Sequence, residues 1–482
     1  MGNTVRQQEG IFHESKSRPW VRKAMSYQRI ESVSSELNDA EIAARIDRLP
    51  NSAMHRHIIL ILALAIFFDT VDLNSFASAA PALIHSWGIT INQIAFITSA
   101  SFIGMFFGAT IGGWLSDRIG RKTALMTFVA ISSLASLATA IAPTADYILL
   151  MRVVTGFGLS AGLVTTMTYI SEVYPAKSRG RWQSSAMVIN LFAIPLTNLF
   201  ARMVVPYGAN GWRWVFIWGA LGLAFIIVAP LLPESPRWLA RQGRAGDAER
   251  VLKSIEAKVL REHGSLPEPQ ILTAPIGRPM PWTAMFAPRY RARTFALCGI
   301  WMLQSIGFYG FEAWVPTLLV KHGFTLVHSL TYFTLINTGG PLGALIAVLV
   351  TDRFERKYLI AIACSLIAVC GLFYGLTFEP VLIVSFGFLI SMLAQTFVAL
   401  FYSYTPEQFP TDIRNSATGF TYGTGRISNV VNAFAVAAIY THFGYLVVFS
   451  YMAAAWVLTA LIAMVFGPRT TGQSLEVLNP QL

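Results

Sequence analysis

The sequence is poor in charged residues and in cysteine. Lys, Arg, Asp and Glu make up 13% of its 482 residues, about half of the roughly 25% found in a soluble globular domain. A soluble domain is therefore a poor fit. The three cysteines, Cys298, Cys364 and Cys370, lie in apolar stretches without metal-ligand spacing, so they indicate neither a disulfide framework nor a zinc site. A nucleophile elbow, a P-loop and a complete catalytic arrangement are also missing, so we predict no enzyme activity, metal or cofactor.

Long apolar stretches take up most of the chain. Hydrophobic residues make up 54% of it, and the mean hydropathy is +0.53. Because a helix needs about 20 mostly apolar residues to cross a bilayer, these stretches predict an all-α membrane protein with twelve transmembrane helices, here called spans 1 to 12. They are predicted at 57–79, 93–114, 123–142, 147–170, 183–205, 213–232, 294–318, 329–350, 358–377, 381–402, 416–440 and 445–467.

Polar segments divide the chain into five parts. These are an N-terminal tail (1–56), a six-helix half (57–232), a central loop (233–293), a second six-helix half (294–467) and a C-terminal tail (468–482). The central loop has helical periodicity, whereas nothing in the N-terminal tail indicates a folded domain.

The net charge of +11 comes mostly from the tail and the central loop, which hold nine and eleven Lys and Arg residues. The opposite side has only Arg202, Arg213 and Lys321. By the positive-inside rule both termini face the cytoplasm, so the basic balance does not predict nucleic-acid binding.

The two halves repeat each other at one constant sequence offset, without gaps. "DRIGRK" from Asp117 recurs as "DRFERK" from Asp352, and Pro81, Gly104 and Gly108 recur at the same offset as Pro316, Gly339 and Gly343. An even number of spans gives both halves the same orientation, which is a parallel repeat about an axis along the membrane normal. Proteins of this kind bind their cargo between the halves, near the membrane midplane.

Several motifs resemble those of the major facilitator superfamily. "GGWLSDRIGRK" (112–122) resembles its signature loop after span 2, and "RVVTGFG" (152–158) resembles the Arg-x-x-x-Gly element of span 4. "PESPRWL" (233–239) follows span 6, as in sugar porters and related metabolite transporters. The resemblance covers nearly all of 55–467 and implies the major facilitator fold.

The resemblance also implies a cytoplasmic gate. In this superfamily the acid of the loop after span 2 contacts the start of span 11, and loop residues after spans 4 and 10 join the charge network. The corresponding residues here are Asp117, Arg121, Glu172 and Arg179, with Asp352, Arg356, Glu407 and Arg414 as the second copy. Surface ion pairs are individually weak, so such a latch can break and re-form as the halves move.

Two carboxylates lie near the middle of span 1. A charge at the bilayer centre costs about 2.5–3.5 kcal/mol on insertion scales. Asp69 and Asp72 share a helix face, and the repeat does not duplicate them, because Asp69 corresponds to Gln304 and Asp72 to Gly307. They either pair with basic groups to fix helix packing or carry the coupling proton.

We favour proton coupling through Asp72, with Arg152 of span 4 as its partner. An Asp of span 1 and an Arg of span 4 have such roles in proton-driven sugar porters, which these residues resemble. "DTVD" (69–72), followed by Pro81, is more similar to the Asp-Gly-x-Asp pattern of aromatic acid:proton symporters and nicotinate-type transporters, with Thr70 in place of Gly.

Polar residues in the second half are candidates for binding the cargo. Arg426 suits a carboxylate, because a guanidinium holds it through two hydrogen bonds. The other candidates are Gln304, Glu312, Gln395 and Asn429. Packing between helices is the alternative role for each of them.

The sequence therefore predicts a secondary transporter that imports a small organic acid together with protons, by alternating access. The DTVD pattern favours an aromatic acid. A proton:sugar symporter, an exporter of a toxic compound and a transporter-like sensor remain alternatives. The predicted partners are the cargo, the proton and membrane lipid, with no nucleic acid and a monomeric chain. The predicted location is a plasma membrane, the bacterial inner membrane by resemblance.

Overall fold

The computed structural model describes residues 39–269, 281–350 and 353–469, and helix is the only regular secondary structure within those ranges. Spans 1 to 4 are the helices Ala53–Trp87, Ile91–Ile119, Arg121–Ala140 and Ala145–Val173. Span 5 consists of Ala176–Leu191 and Ala193–Val204, and span 6 consists of Gly211–Ala220 and Ala224–Val228 with the short 3-10 turns Leu221–Leu223 and Ala229–Leu231. Three helices lie outside the spans: Asp39–Asp47, Pro236–Arg241 and Ala245–His263.

The second half follows the same order. Span 7 is Arg291–Lys321, after the 3-10 turn Trp282–Phe286, and span 8 consists of Leu326–Asn337 and Gly339–Val350. Spans 9 to 12 are Arg356–Leu376, Pro380–Glu407, Thr411–Phe443 and Tyr445–Phe466.

Eleven helices in the described ranges are long and apolar enough to cross a membrane, and Thr411–Phe443 is not among them. That helix has 33 residues, but polar and charged side chains, among them Arg426 and Asn429, lower its hydropathy. The all-α membrane fold is confirmed. The count of twelve transmembrane helices and the cytoplasmic location of the termini stay predictions.

Helix packing repeats at the same offset as the sequence. A Cβ atom at Gly108 in span 2 would overlap the carbonyl oxygen of Phe157 in span 4. A Cβ atom at Gly343 in span 8 would overlap the carbonyl oxygen of Met392 in span 10. The second pair is related to the first by the offset that relates Asp117 to Asp352, so both halves bring these two helices together at the same point.

Tyrosines at the helix ends repeat as well. The Tyr169 hydroxyl donates to the carbonyl oxygen of Pro233 at 2.5 Å. The Tyr404 hydroxyl donates to the carbonyl oxygen of Pro468 at 2.8 Å. Both bonds tie the end of a half to its fourth helix.

The halves are joined at one end of the bundle. We call the end that carries the central loop the inner end and the opposite end the outer end. Ser99 of span 2 donates to the carbonyl oxygen of Val430 in span 11 at 2.9 Å, and the rings of Phe96 and Phe434 lie 4.9 Å apart. These contacts hold spans 2 and 11 together at the outer end.

Part of the N-terminal tail forms a helix that the sequence analysis did not predict. Helix Asp39–Asp47 packs against helix Ala245–His263, with Ile42 and Ile46 on Leu252. Arg45 pairs with Glu249 at 2.6 Å and with Glu256 at 2.7 Å. All of span 1 to span 6 separates the partners in the sequence, so the pattern of the tail alone does not reveal the contact. Residues 1–38 lie outside the described residues.

Candidate functional site

A small cavity lies among spans 7, 10 and 11. Its volume is about 110 Å³. Its walls come from the second half only, and they are mostly aromatic. The lining residues are Trp301, Gln304, Ser305, Phe308, Tyr309, Val398, Tyr402, Tyr422, Gly425 and Arg426. Span 11 is held against span 7 by hydrogen bonds from Ser428 to the Met302 carbonyl oxygen, at 3.1 Å, and from Asn432 to the Ile306 carbonyl oxygen, at 3.2 Å.

Arg426 is the cation of this cavity. It is 6% exposed, and its Nη1 atom donates to the Tyr309 hydroxyl at 2.9 Å while Nη2 donates to the Tyr422 hydroxyl. Its Nε atom is buried without a partner. Arg426 forms no ion pair with another of the described residues. A buried guanidinium without a carboxylate is costly, and an anionic ligand would relieve that cost.

Aromatic rings surround the guanidinium. The Arg426 carbon Cζ lies 4.9 Å from the Tyr422 ring centroid and 5.5 Å from that of Tyr309, both within cation–π range. Trp301 packs edge-on against Tyr422 at 5.0 Å and against Tyr402 at 5.1 Å. A planar apolar group next to a carboxylate fits such a cavity.

The other predicted cargo residues are buried, but only one lines the cavity. Gln304 lines it and donates its amide to Ser305 Oγ at 2.9 Å. Gln395 and Glu312 lie outside the lining, each 8% exposed. Asn429 is 1% exposed, and neither of its amide atoms has a partner. It lies one turn after Arg426 on the same helix face.

Asp72 and Arg152 lie together in the first half. Arg152 Nη1 lies 3.2 Å from Asp72 Oδ1, and the side chains are 1% and 2% exposed. The same oxygen accepts from Ser136 at 2.8 Å, while Asp72 Oδ2 has no partner. Arg152 therefore points into the bundle and does not extend to the outer face.

Asp69 has a different environment. Its side chain is half-buried, and its Oδ2 atom is enclosed without a hydrogen-bond partner. The Oδ2 atom lies against Gly162 of span 4, where a Cβ atom would be 3.4 Å away. The structure pairs only one of the two predicted carboxylates with Arg152.

Span 2 contacts both the ion pair and the cavity. Ser101 Oγ accepts a hydrogen bond from Arg152 Nε at 3.1 Å. One turn later, the Met105 sulfur lies 4.0 Å from Arg426 Nη1. Phe102, between them, packs edge-on against Tyr309 at 5.2 Å. One helix face thus connects the Asp72–Arg152 pair of one half with the cavity of the other.

The predicted gate residues form clusters inside each half. Arg121 binds Glu172 through two hydrogen bonds, of 3.0 and 2.8 Å, and Asp117 at 2.6 Å. Arg356 pairs with Glu407 at the equivalent place.

For two further gate residues, Arg179 and Arg414, the structure gives one contact detail each. Arg179 has a buried Nε atom without a partner, and Arg414 donates to the Phe409 carbonyl oxygen at 3.3 Å. Asp352 lies outside the described residues. The latch between the halves stays a prediction, since the ion pairs described here each lie inside one half.

Glu234, in the "PESPRWL" motif, is a structural residue that the sequence analysis missed. Its Oε1 atom accepts from the backbone nitrogens of Arg121, at 2.9 Å, and Lys122, at 3.2 Å. Gly120 precedes them with φ of 95°, and a Cβ atom there would lie 2.6 Å from Glu234 Oε2. A carboxylate at a helix N-terminus is favourable, so Glu234 fixes the start of span 3. In the sequence, the glycine of the signature loop is the one feature that indicates this close contact.

The tyrosines of the cavity were also missed. Tyr422 lies one turn before Arg426 in "YGTGR", a spacing that predicts contact on a helix. Tyr402 comes from span 10 and has no such signal, since only the fold brings span 10 next to span 11.

Comparisons with known proteins agree with this architecture. The family model described as "Sugar (and other) transporter" matches residues 44–482. The chain is 40% identical to the metabolite transport protein YyaJ of Bacillus subtilis, over 90% of this chain and 96% of that protein. It is 29% identical to the niacin transporter NiaP of Acinetobacter baylyi, over 90% of this chain and 99% of that protein.

A more distant relative is the 4-hydroxybenzoate transporter PcaK of Pseudomonas putida, which is 28% identical over 83% of this chain and 89% of that protein. Among solved structures, the xylose transporter XylE of E. coli in a partially occluded inward-open conformation superimposes with a TM-score of 0.71. It is 18% identical and covers 88% of this chain and 100% of its own. At that identity the match shows a shared fold.

Proposed function

Since the chain belongs to the sugar (and other) transporter family of the major facilitator superfamily, we propose that it imports a small aromatic carboxylate together with protons. Its relatives and its fold are those of membrane transporters, so the chain is a transporter and not an enzyme. The cargo, the coupling ion and the direction of transport are the proposed part.

The observation that carries the proposal is the state of Arg426. A permanently charged group lies buried in an aromatic cavity, with two tyrosine hydroxyls as its neighbours and no carboxylate of the described residues bonded to it. A carboxylate cargo supplies the missing charge, since carboxylates and guanidinium groups match in geometry. Trp301, Tyr402 and Tyr422 then contact the ring of an aromatic acid. The names of the niacin and 4-hydroxybenzoate transporters support this class of cargo.

Proton coupling is assigned to the Asp72–Arg152 pair. Protonation of Asp72 removes the negative charge that holds Arg152. An ionised Asp72 keeps the pair together. Ser101 and Met105 of span 2 contact Arg152 and Arg426, respectively. A change at the ion pair therefore reaches the cargo site through one helix. Asp69 is the second candidate to carry the proton.

Alternating access is the proposed mechanism. Span 2 meets the second half through Ser99 on the Val430 carbonyl oxygen, Phe96 on Phe434 and Phe102 on Tyr309. Opening to the outer side requires these contacts to break. With both termini in the cytoplasm of a bacterial cell, the proposed direction is import across the inner membrane.

The test is uptake into proteoliposomes with an imposed pH gradient, acid outside, using labelled 4-hydroxybenzoate, nicotinate, gallate and xylose. The expected result is accumulation of one or more of the acids and none of xylose. Arg426→Gln removes the only side chain with a charge in the cavity lining and should raise the half-saturation concentration at least tenfold. Arg202→Gln, at an exposed position of span 5, is the matched control.

Proton:sugar symport is the second candidate, and Gln304 favours it. Its amide, Ser305 and three tyrosine hydroxyls offer neutral hydrogen bonds of the type that sugars need. Accumulation of xylose that Gln304→Leu abolishes and Arg426→Gln spares would select this function. Pumping of the acids out of the vesicles would indicate an exporter, and binding without any flux would indicate a sensor.

A further inference from the structure

Glu312 is a buried carboxylate that the coupling scheme above does not use. It lies in span 7, nine residues before the end of the helix at Lys321, which is about 14 Å along the axis. Its side chain is 8% exposed, and its Oε2 atom is buried without a hydrogen-bond partner. The residue follows Ser305 and Tyr309 on the same helix face, one turn beyond the cavity that these two residues line.

The groups around Glu312 do not neutralise a negative charge. Span 8 presents Asn337, a neutral amide within hydrogen-bonding reach of the carboxyl group. Asn337 in turn accepts from Ser391 of span 10 at 3.4 Å. Span 12 contains no Asp, Glu, Lys or Arg. The resolved ion pairs of the described residues include none with Glu312.

On the other neighbouring helices, the described hydrogen bonds and ion pairs of the charged side chains do not include Glu312. On span 11, Arg426 reaches the Tyr309 hydroxyl, one turn before Glu312. On span 1, Asp72 is held by Arg152. On span 9, Tyr374 packs against Phe311 at 5.3 Å and is a neutral phenol. An ionised Glu312 would therefore remain an isolated charge in the membrane interior, which is strongly unfavourable.

The charge of the cargo also argues against an ionised Glu312. A carboxylate cargo at Arg426 would be repelled by a second negative group one turn beyond the cavity. A protonated carboxyl group would not repel it, and it still donates a hydrogen bond. Glu312 was expected to bind the cargo, but its environment fits a group that binds a proton.

We propose that Glu312 is a second proton-binding site, so that each transport cycle carries two protons with one carboxylate cargo. The charges balance as follows. One proton and one monoanionic cargo move no net charge, and the second proton adds one positive charge. Transport then responds to the membrane potential as well as to the pH gradient. The part about cargo rests on the proposed function, whereas the protonation of Glu312 is testable with no cargo present.

The first experiment is infrared spectroscopy of the purified full-length protein at neutral pH. The C=O stretching band of protonated carboxyl groups is compared among wild type, Glu312→Gln and the control Glu379→Gln, which makes the same change at an exposed position at the start of span 10. The band should lose intensity in Glu312→Gln and keep it in Glu379→Gln. If Glu312→Gln does not fold, Glu312→Asp should shift the band. An unchanged band in the Glu312 variants would overturn the proposal.

The second experiment is uptake of labelled 4-hydroxybenzoate into proteoliposomes at equal pH, driven by an inside-negative potential of about 100 mV. One net positive charge per cargo gives roughly 50-fold accumulation at that potential. Wild type and Glu379→Gln should approach this accumulation. Glu312→Gln should show no accumulation driven by the potential, but it should still accumulate the labelled acid under a pH gradient. Wild-type uptake that ignores the potential would overturn the two-proton stoichiometry. No uptake of any aromatic acid under either gradient would contradict the proposed function and leave the infrared result valid.

Discussion

At the scale of single residues, the two halves hold their buried charges differently. The first half pairs Asp72 with Arg152 at 3.2 Å. The second half has Arg426 among tyrosines and Glu312 beside an amide, and neither forms an ion pair with another described residue. The scaffold motifs repeat between the halves and these charges do not, as the proposed roles in binding one cargo and its protons would require.

The Asp72–Arg152 pair should matter to stability as well as to transport. Asp72→Asn leaves Arg152 buried without a counter-charge, which lowers the free energy of unfolding by about 3–5 kcal/mol. The double variant Asp72→Asn/Arg152→Gln should regain part of that stability and still fail to accumulate cargo. Asp69→Asn is the matched control, since Asp69 has no ion pair among the described residues. Thermal unfolding in detergent compares the stability of wild type with that of the three variants. If Asp69→Asn destabilises the protein as much as Asp72→Asn does, this account is contradicted.

At the scale of helices, close contacts between backbones fix the two halves. Gly343 lets span 8 approach the Met392 carbonyl of span 10, as Gly108 does in the first half. Gly371 of span 9 has only one neighbouring atom, 4.0 Å from where a Cβ would be. The same substitution should therefore have opposite effects at the two positions.

Gly343→Ala should destabilise the protein by about 1–3 kcal/mol, the usual range for overpacking. Gly371→Ala should be neutral or stabilise by up to about 1 kcal/mol, because Ala is the better helix former. Melting temperature and the yield of monodisperse protein test this pair. A Gly343→Ala variant as stable as Gly371→Ala would show that spans 8 and 10 do not meet as described.

The contact between helices Asp39–Asp47 and Ala245–His263 should depend on pH. Burial opposes ionisation of Glu256, but hydrogen bonds from Arg45 and Arg48 outweigh it and lower its pKa below the usual 4.5. A lowered pKa in the folded state stabilises the contact above the pKa of the unfolded chain. That stabilisation is lost as the pH falls through the lowered value.

Hydrogen exchange of residues 39–49, corrected for the intrinsic rate, checks this expectation. Protection should be constant from pH 7 down to about pH 5 and should fall at lower pH. Glu256→Gln should show less protection already at pH 7, with a flatter profile, while Glu268→Gln at an exposed position should behave as wild type. Full protection of Glu256→Gln at pH 7 would mean that apolar packing alone holds the helix.

At the scale of the whole molecule, the sequence predicted the parts that repeat. The constant offset between the halves located equivalent loops, and the structure has Arg121–Glu172 and Arg356–Glu407 at those places. Apolar length predicted twelve spans, and eleven helices in the described ranges are long and apolar enough to cross a membrane. It described span 11 less well, since a helix that lines a cavity carries polar residues.

Contacts between distant segments were beyond the sequence pattern. Tyr402 reaches the cavity from span 10, Glu234 caps span 3 from the central loop, and Arg45 of the N-terminal tail binds Glu256 of the central loop. None of these has a periodicity or a spacing of its own. The separate environments of Asp69 and Asp72, one without a partner and one in an ion pair, likewise depend on which helices surround span 1.

The most direct test of proton-coupled carboxylate transport compares accumulation with exchange in one variant. Labelled 4-hydroxybenzoate is offered to proteoliposomes of wild type and Asp72→Asn, once with a pH gradient and once with equal unlabelled acid on both sides. The account predicts that wild type does both, and that Asp72→Asn exchanges the label but no longer accumulates it. Normal accumulation by Asp72→Asn would contradict the account, because the proton would then be carried without this carboxylate.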